Sequence, residues 1–321
     1  MPLMQTNAFN TDADVALPAG VHGDACRCVL HARRRLGGAL IGAGALAALG
    51  VAGPAAAQDP ECKRSSLTKL VSAEQVEQAA GQNYRQMLQQ AASQRALGPA
   101  NNEQVQRLNY IAKRIIPFTE GCNPRSPQWR WEVNLIGSQE LNAFCMPGGK
   151  IAFYYGILAE LQLSDDEVAM IMGHEAAHAL LEHAREQMGK NVVTTGALRL
   201  GAALFGLGQL GDVGAQIGSQ LLSLKFSRDD ESEADALGLV MAAKAGYDPR
   251  SGVSLWQKMS SGARGGAPPA MLSTHPSGPQ RIKDIESRLP AVLPTFQMAA
   301  KPDRRFGPPA PLPPAPAKPG R

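Results

Sequence analysis

The chain has 321 residues, 44% of them hydrophobic, which is ample for one packed core and too apolar for a disordered polypeptide. A formal charge of +4 and an aromatic content of 5% supply neither the basic stripe nor the interleaved rings of a nucleic-acid binder, so no nucleic-acid partner is expected.

In chain order, Arg33-Arg34-Arg35, the apolar stretch from Leu36 to Val51 and then Ala55-Ala56-Ala57 follow the charged, hydrophobic and small-residue order of an export signal, with cleavage expected after Ala57. An uncleaved membrane anchor is the competing reading of the same stretch. Export removes Cys26 and Cys28. Of the remaining cysteines, Cys62 and Cys122 lie in polar, loop-like surroundings and are the expected disulfide pair, while Cys145 lies in a strand and is expected buried and free. The chain thus divides into an export signal (1–57), one globular domain (58–289) and a flexible Pro-rich tail (290–321).

Within the globular part, two helices are predicted over Ser72–Ser93 and Asn101–Ile116. Val105, Leu108, Ile111, Ala112 and Ile115 give the second an apolar face. Trp129, Trp131, Val133 and Leu135 alternate with polar residues as in a half-buried strand. Asn142–Met146 reads as another strand, with Pro147-Gly148-Gly149 leading into Lys150–Tyr154. Ser164 with Glu167 forms a capping box for a helix expected to run to Met188, with Gly189 as its stop. Val192–Leu224, rich in Gly, Ala and Leu, reads as a helical pair near the active site; Arg199, Asp212 and its glycines interrupt any membrane-length apolar run. A further helix opens at Arg228 and stops at Gly246. Overall this is a mainly helical α+β domain.

The chemistry concentrates in Gly173-His174-Glu175-Ala176-Ala177-His178. On a helix, residues four apart share a face, so His174 and His178 can hold one zinc ion with Glu175 placed to act as base on water activated there. A catalytic zinc needs a third protein ligand. Glu231 fits, and Asp235, one turn later, can accept the free ring N–H of a ligating histidine. The alternative for Glu231, Glu233 and Asp235 is an acidic first turn favoured by the helix dipole; Glu233 points to another face and is expected solvated. On a continuous helix His183, five residues past His178, turns away from the ligand face and reads as structural.

These residues carry a resemblance. His174-Glu175-Ala176-Ala177-His178, then Glu231-Ser232-Glu233-Ala234-Asp235, then Ser273-Thr274-His275-Pro276 with Arg281-Ile282, together with Asn142-Ala143-Phe144-Cys145-Met146-Pro147-Gly148-Gly149, resemble peptidase family M48 over about Ala73–Leu289. The family includes CAAX prenyl proteases and periplasmic bacterial members. Cys145 departs from it, standing where the family more often has a small apolar residue. The resemblance implies a zincin-like domain with a small β-sheet beside the zinc-binding helix, and one Zn2+ per chain held by His174, His178 and Glu231. It makes Glu175 the catalytic base and assigns His275 and Arg281 to stabilising the oxyanion. Asn142, Ala143 and Phe144 then belong to an edge strand that pairs with an extended substrate; from the residues alone an ordinary hairpin is equally compatible. The residues themselves favour an exposed loop for His275-Pro276. The implied function is zinc endopeptidase activity in quality control of cell-envelope proteins. Unfolded or misassembled polypeptides are its substrates, in the periplasm, with contact to membrane or outer-membrane assembly machinery. The other readings are a chaperone-like scaffold with a silent metal site and a zinc amidase acting on cell-wall peptides.

Overall fold

The computed structural model describes residues 62–194, 221–262, 270–276 and 278–311. The expected export signal (1–57), most of the Gly/Ala/Leu-rich stretch (195–220) and the end of the Pro-rich segment (312–321) lie outside the described residues.

Helix α1 (Ala73–Ser93) starts where Ser72 Oγ accepts from the Gln75 N–H. Helix α2 (Glu103–Ile115) starts where Asn102 Oδ1 accepts from the Gln104 and Val105 N–H groups, so each cap satisfies donors that the helix itself leaves unpaired. The five apolar residues expected on one face of α2 are all buried. Three strands follow: β1 (Glu132–Ile136), β2 (Ala143–Met146) and β3 (Lys150–Tyr154), in the order β1-β3-β2. β1 pairs parallel with β3, Val133 opposite Ile151, and β2 pairs antiparallel with β3, Phe144 opposite Ala152, which leaves β2 at an edge. The expectation of a half-buried β1 is corrected. Val133, Asn134, Leu135 and Ile136 are all buried, because α1 covers the second face, where the Tyr84 hydroxyl donates to the Ile151 carbonyl and accepts from Asn134 Nδ2 at 3.0 Å.

After the short α3 (Tyr155–Glu160) comes α4 (Asp165–Leu180), with the expected capping box of Ser164 and Glu167; every residue of it except Asp166 is buried. It does not continue to Met188. The chain breaks at Glu182, whose φ is 62°, and restarts as α5 (His183–Thr194), within which Gly189 packs on the Leu67 backbone. A left-handed residue other than glycine costs about 1–2 kcal/mol. Ion pairs from Arg64 at 3.5 Å and from Arg185 hold the buried Glu182 carboxylate there. Arg185 in turn donates to the Thr68 and Val71 carbonyls.

Helix α6 (Arg228–Lys244) opens with a capping box of Ser227 and Asp230 and stops at Gly246, whose φ is 85°. It crosses α4 with backbones nearly touching: a Cβ on Gly238 would lie 2.7 Å from the His174 nitrogen, and one on Gly173 would lie 2.8 Å from the Gly238 carbonyl oxygen. Two glycines, one per helix, therefore set the distance between the segments that carry the motif residues. Helices α7 (Ser251–Gly262), α8 (Ala270–Thr274) and α9 (Pro279–Met298) complete this side.

The described residues continue in helix past the expected boundary at 289 and on through the first part of the expected tail, 290–311. α9 runs through Pro290 and Pro294 to Met298, with Val292 and Phe296 packed on Val240 and Ala243 of α6. The chain then straps across α2 and α4. Arg305 pairs with Asp166 at 2.9 Å, the Phe306 N–H donates to Asp165 Oδ2 at 2.7 Å, and Gln104 donates to the Gly307 carbonyl at 3.2 Å. Asp165 also takes the fully buried Arg107 at 2.7 Å. Cys62 and Cys122 form a disulfide, and Cys145 is free but only half-buried. Among the described residues, no helix is long and apolar enough to cross a membrane.

The close crossing makes a prediction. Gly→Ala in a helix interior ordinarily gains up to about 1 kcal/mol. At Gly238 the new methyl meets rigid backbone, and overpacking of this kind costs about 1–3 kcal/mol. Gly238→Ala is therefore expected to lower unfolding free energy in a denaturant titration, whereas Gly81→Ala, whose Cβ would meet only the Arg85 side chain at 3.5 Å, should not.

Candidate metal centre

α4 presents His174 and His178 one turn apart, and the crossing with α6 places Glu231 against both. His174 Nε2 and His178 Nε2 are 3.0 Å apart; Glu231 Oε2 lies 3.5 Å from the first and Oε1 lies 3.4 Å from the second. His275 joins them, its Nδ1 being 2.9 Å from Glu231 Oε1 and 3.4 Å from His174 Nε2. One ligand atom from each of these four buried residues fits within 4.8 Å of the others.

The donor set fits a divalent cation on its chemistry. The outer nitrogen of each helix histidine is already engaged, His174 Nδ1 with Asp235 Oδ1 at 3.0 Å and His178 Nδ1 with His183 Nδ1 at 2.8 Å. The two inner nitrogens therefore face each other and a carboxylate, a set that a proton or a cation held between them satisfies. Glu231 Oε2 has no aligned hydrogen-bond donor, although the Arg281 guanidinium makes an ion pair with it.

The protonation pattern agrees. Burial would raise the Glu231 pKa, but the imidazoles of His174, His178 and His275 packed against it hold it far below the usual carboxylate range. Burial drives His178 well below the ordinary histidine value. Burial and Arg281 also oppose a proton on His174, yet hydrogen bonds to Asp235 and Glu231 outweigh them and push its pKa up to about 9. A proton then stands where the cation would. Glu175, buried beside this set, has its pKa raised by burial; among the described residues its Oε1 has no hydrogen-bond partner, and His275 Nε2 lies 3.6 Å from it.

The structure brings together all the residues singled out, with three differences from the sequence reading. His275 is buried rather than exposed. It follows directly on α8, the Phe226 N–H donates to the preceding Thr274 carbonyl at 3.1 Å, and the Phe226 ring lies 5.1 Å from the imidazole. His275 is thereby a fourth member of the donor set as well as a neighbour of Glu175. Arg281 forks onto Asp235, Nε to Oδ2 at 2.7 Å and Nη2 to Oδ1 at 2.8 Å, and its guanidinium lies 3.5 Å above the Trp256 ring. It lines a cavity on the far side of Glu231, not the cleft containing Glu175 and His178. His183 is not turned away: the break at Glu182 returns it to His178. Glu233 is largely solvated, as expected, but its carboxylate reaches His183 Nε2 at 3.4 Å.

Asn142, Ala143 and Phe144 line a cleft together with Glu175, His178 and His275. Among the described residues β2 pairs only with β3, so its other edge is available beside this cleft. Phe226 and Leu221, Leu222 and Leu224 add apolar lining to the same cleft. The sequence reading missed Phe226 and Trp256, since a lone aromatic carries no signal of what it stacks on.

Residues 100–289 match the model of peptidase family M48. The chain is similar to the mitochondrial metalloendopeptidase OMA1 of Arabidopsis thaliana, 41% identical over 154 residues, which is 48% of this chain and 30% of that protein. It is similar to the metalloprotease LoiP of Escherichia coli, 28% identical over 212 residues, covering 64% of this chain and 79% of that protein. A third relative is the beta-barrel assembly-enhancing protease of Yersinia pestis, 26% identical over 192 residues, 57% of this chain and 38% of that protein. The chain spans less than half the length of the OMA1 proteins from Arabidopsis and Schizosaccharomyces pombe that it matches. The matched segment covers more than half of the chain and contains the histidine pair of α4, Glu231 and Asp235 of α6, and His275 and Arg281: the chain belongs to peptidase family M48.

Proposed function

We propose that the protein is a zinc-dependent endopeptidase. The observation that carries this reading is a buried carboxylate, Glu175, whose Oε1 has no hydrogen-bond partner among the described residues, beside a set of buried ligand atoms and next to a strand edge that no described residue pairs with. His174, His178 and Glu231 would hold the ion. When bound, zinc supplies Lewis acidity, acidifying water and polarising a peptide carbonyl.

The chain's own residues do the rest. The edge of β2 at Asn142, Ala143 and Phe144 takes an extended substrate by backbone hydrogen bonds. Glu175, its proton affinity raised by burial, accepts the proton of the attacking water and delivers it to the departing amine. His275, 3.6 Å from Glu175 on the cleft side, is placed to donate to the developing oxyanion. Arg281, with both of its outward edges committed to carboxylates, positions Asp235 and Glu231 rather than meeting substrate. Asp235 fixes the His174 tautomer through Nδ1.

The proposed setting is the periplasm, reached by the signal at 1–57, and the Cys62–Cys122 disulfide supports an oxidising compartment. We take the substrates to be unfolded or misassembled envelope polypeptides; the relative named for β-barrel assembly favours contact with outer-membrane assembly machinery.

Two outcomes test this reading. Glu175→Gln should keep stoichiometric zinc by elemental analysis while cleavage of casein falls by about 10²–10⁴; undiminished cleavage removes Glu175 as the base. Because a ligand must shed its proton before binding and His174 holds one up to about 9, zinc affinity should rise by about tenfold per pH unit between pH 6 and 8 and level off above about 9. Competition with a chelator measures this, and an affinity independent of pH would contradict the protonation pattern.

A further inference from the structure

His183 has no part in the reading above, yet among the described residues it is the group that engages the outer nitrogen of His178, Nδ1 to Nδ1 at 2.8 Å. We propose that His183 is a positioning residue that fixes the tautomer of His178, accepting the His178 Nδ1–H so that the Nε2 lone pair faces the cation. The inference rests on the proposed metal centre.

Two ring nitrogens 2.8 Å apart share one proton, and the question is which ring owns it. The far nitrogen of His183, Nε2, faces the Glu233 carboxylate at 3.4 Å. Carboxylates only accept, so Nε2 carries a hydrogen. A neutral imidazole has a single N–H, and the other nitrogen accepts. His183 Nδ1 is therefore an acceptor and His178 Nδ1 the donor. It follows that His178 Nε2, 3.0 Å from His174 Nε2 and 3.4 Å from Glu231 Oε1, is bare. The opposite arrangement would put a hydrogen on His178 Nε2, in the space shared by the donor set.

The backbone is shaped for this contact. On a continuous helix a residue five positions on is rotated by roughly 140° from the first. The left-handed Glu182, clamped by Arg64 and Arg185, cancels that rotation and sets the two rings edge to face, centroids 4.9 Å apart. The two helix ligands are thus oriented by different chemistry, His174 by the carboxylate of Asp235 and His178 by the imidazole of His183.

The test uses the chain with intact disulfide in metal-free and zinc-loaded forms. Long-range 15N–1H correlation spectra of the histidine rings should show His178 protonated at Nδ1 in the metal-free wild type. Loss of an outer partner typically lowers metal affinity by about 10–100-fold. His183→Phe should show that loss in chelator competition while remaining folded by circular dichroism. His183→Asn, whose Oδ1 accepts near the position of Nδ1, should recover most of the affinity and the Nδ1–H signal. Wild-type affinity in His183→Phe, or His183→Asn as weak as His183→Phe, overturns the proposal. If His183→Phe does not fold, a His178 proton at Nε2 in the metal-free wild type overturns it alone and one at Nδ1 supports it. A wild type that takes up no zinc defeats the metal centre itself, and the tautomer spectrum separates that failure from this one.

Discussion

The crossing of α4 and α6 at Gly173 and Gly238 is the constraint on which the site depends. Helix axes packed through ordinary side chains lie about 8–10 Å apart. A glycine on each helix lets one backbone rest on the other, with a Cβ at either position reaching to within 2.8 Å of the partner's main chain. At that separation the short Glu231 side chain spans from α6 to both histidines of α4. The glycine next to His174 is thus part of the metal geometry, although it has no chemistry of its own.

Such closeness concentrates charge in a dry place. Two carboxylates from α6 and one from α4 are buried within reach of three imidazoles and one guanidinium. Burying an unpaired carboxylate is costly, and here Asp235 and Glu231 are offset by Arg281 and the histidines. Glu175 is the exception, with one oxygen unpaired and its pKa raised by burial. Unbalanced groups persist where they serve chemistry, and this one stands at the cleft beside β2, whose outer edge is unpaired among the described residues.

Much of this was legible in the sequence, for local reasons. Capping boxes at Ser164 and apolar spacing along α2 report their own neighbourhood. The four-residue intervals between His174 and His178 and between Glu231 and Asp235 fix shared faces without any tertiary knowledge. What failed to show was long-range. Leu181-Glu182 contains no helix-breaking residue; the break is imposed by Arg64 and Arg185, the former 118 residues away. The Ser/Pro/Gly surroundings of His275 suggest exposure, and only Phe226 and α8 bury it. Pro290 and Pro294 argued for a tail, but packing on α6 carries α9 through both, and the strap beyond is held by side chains of α2 and α4.

The strap and the disulfide act on α4 from opposite ends. At its start, Asp165 accepts from both Arg107 and the Phe306 N–H, so the buried carboxylate at the helix N-terminus is satisfied by α2 and by the C-terminal segment together. At its end, Cys62 is joined to Cys122, which holds the segment carrying Arg64 and the Thr68 and Val71 carbonyls near the turn that Glu182 makes. Asn123, next to Cys122, donates to the Leu180 carbonyl at 3.0 Å and so takes up one of the acceptors that the end of α4 leaves open. Ligand placement within a few tenths of an ångström requires a helix that neither slides nor frays. Both ends of α4 are therefore fastened by residues remote in sequence, while its middle is fixed by backbone contact with α6.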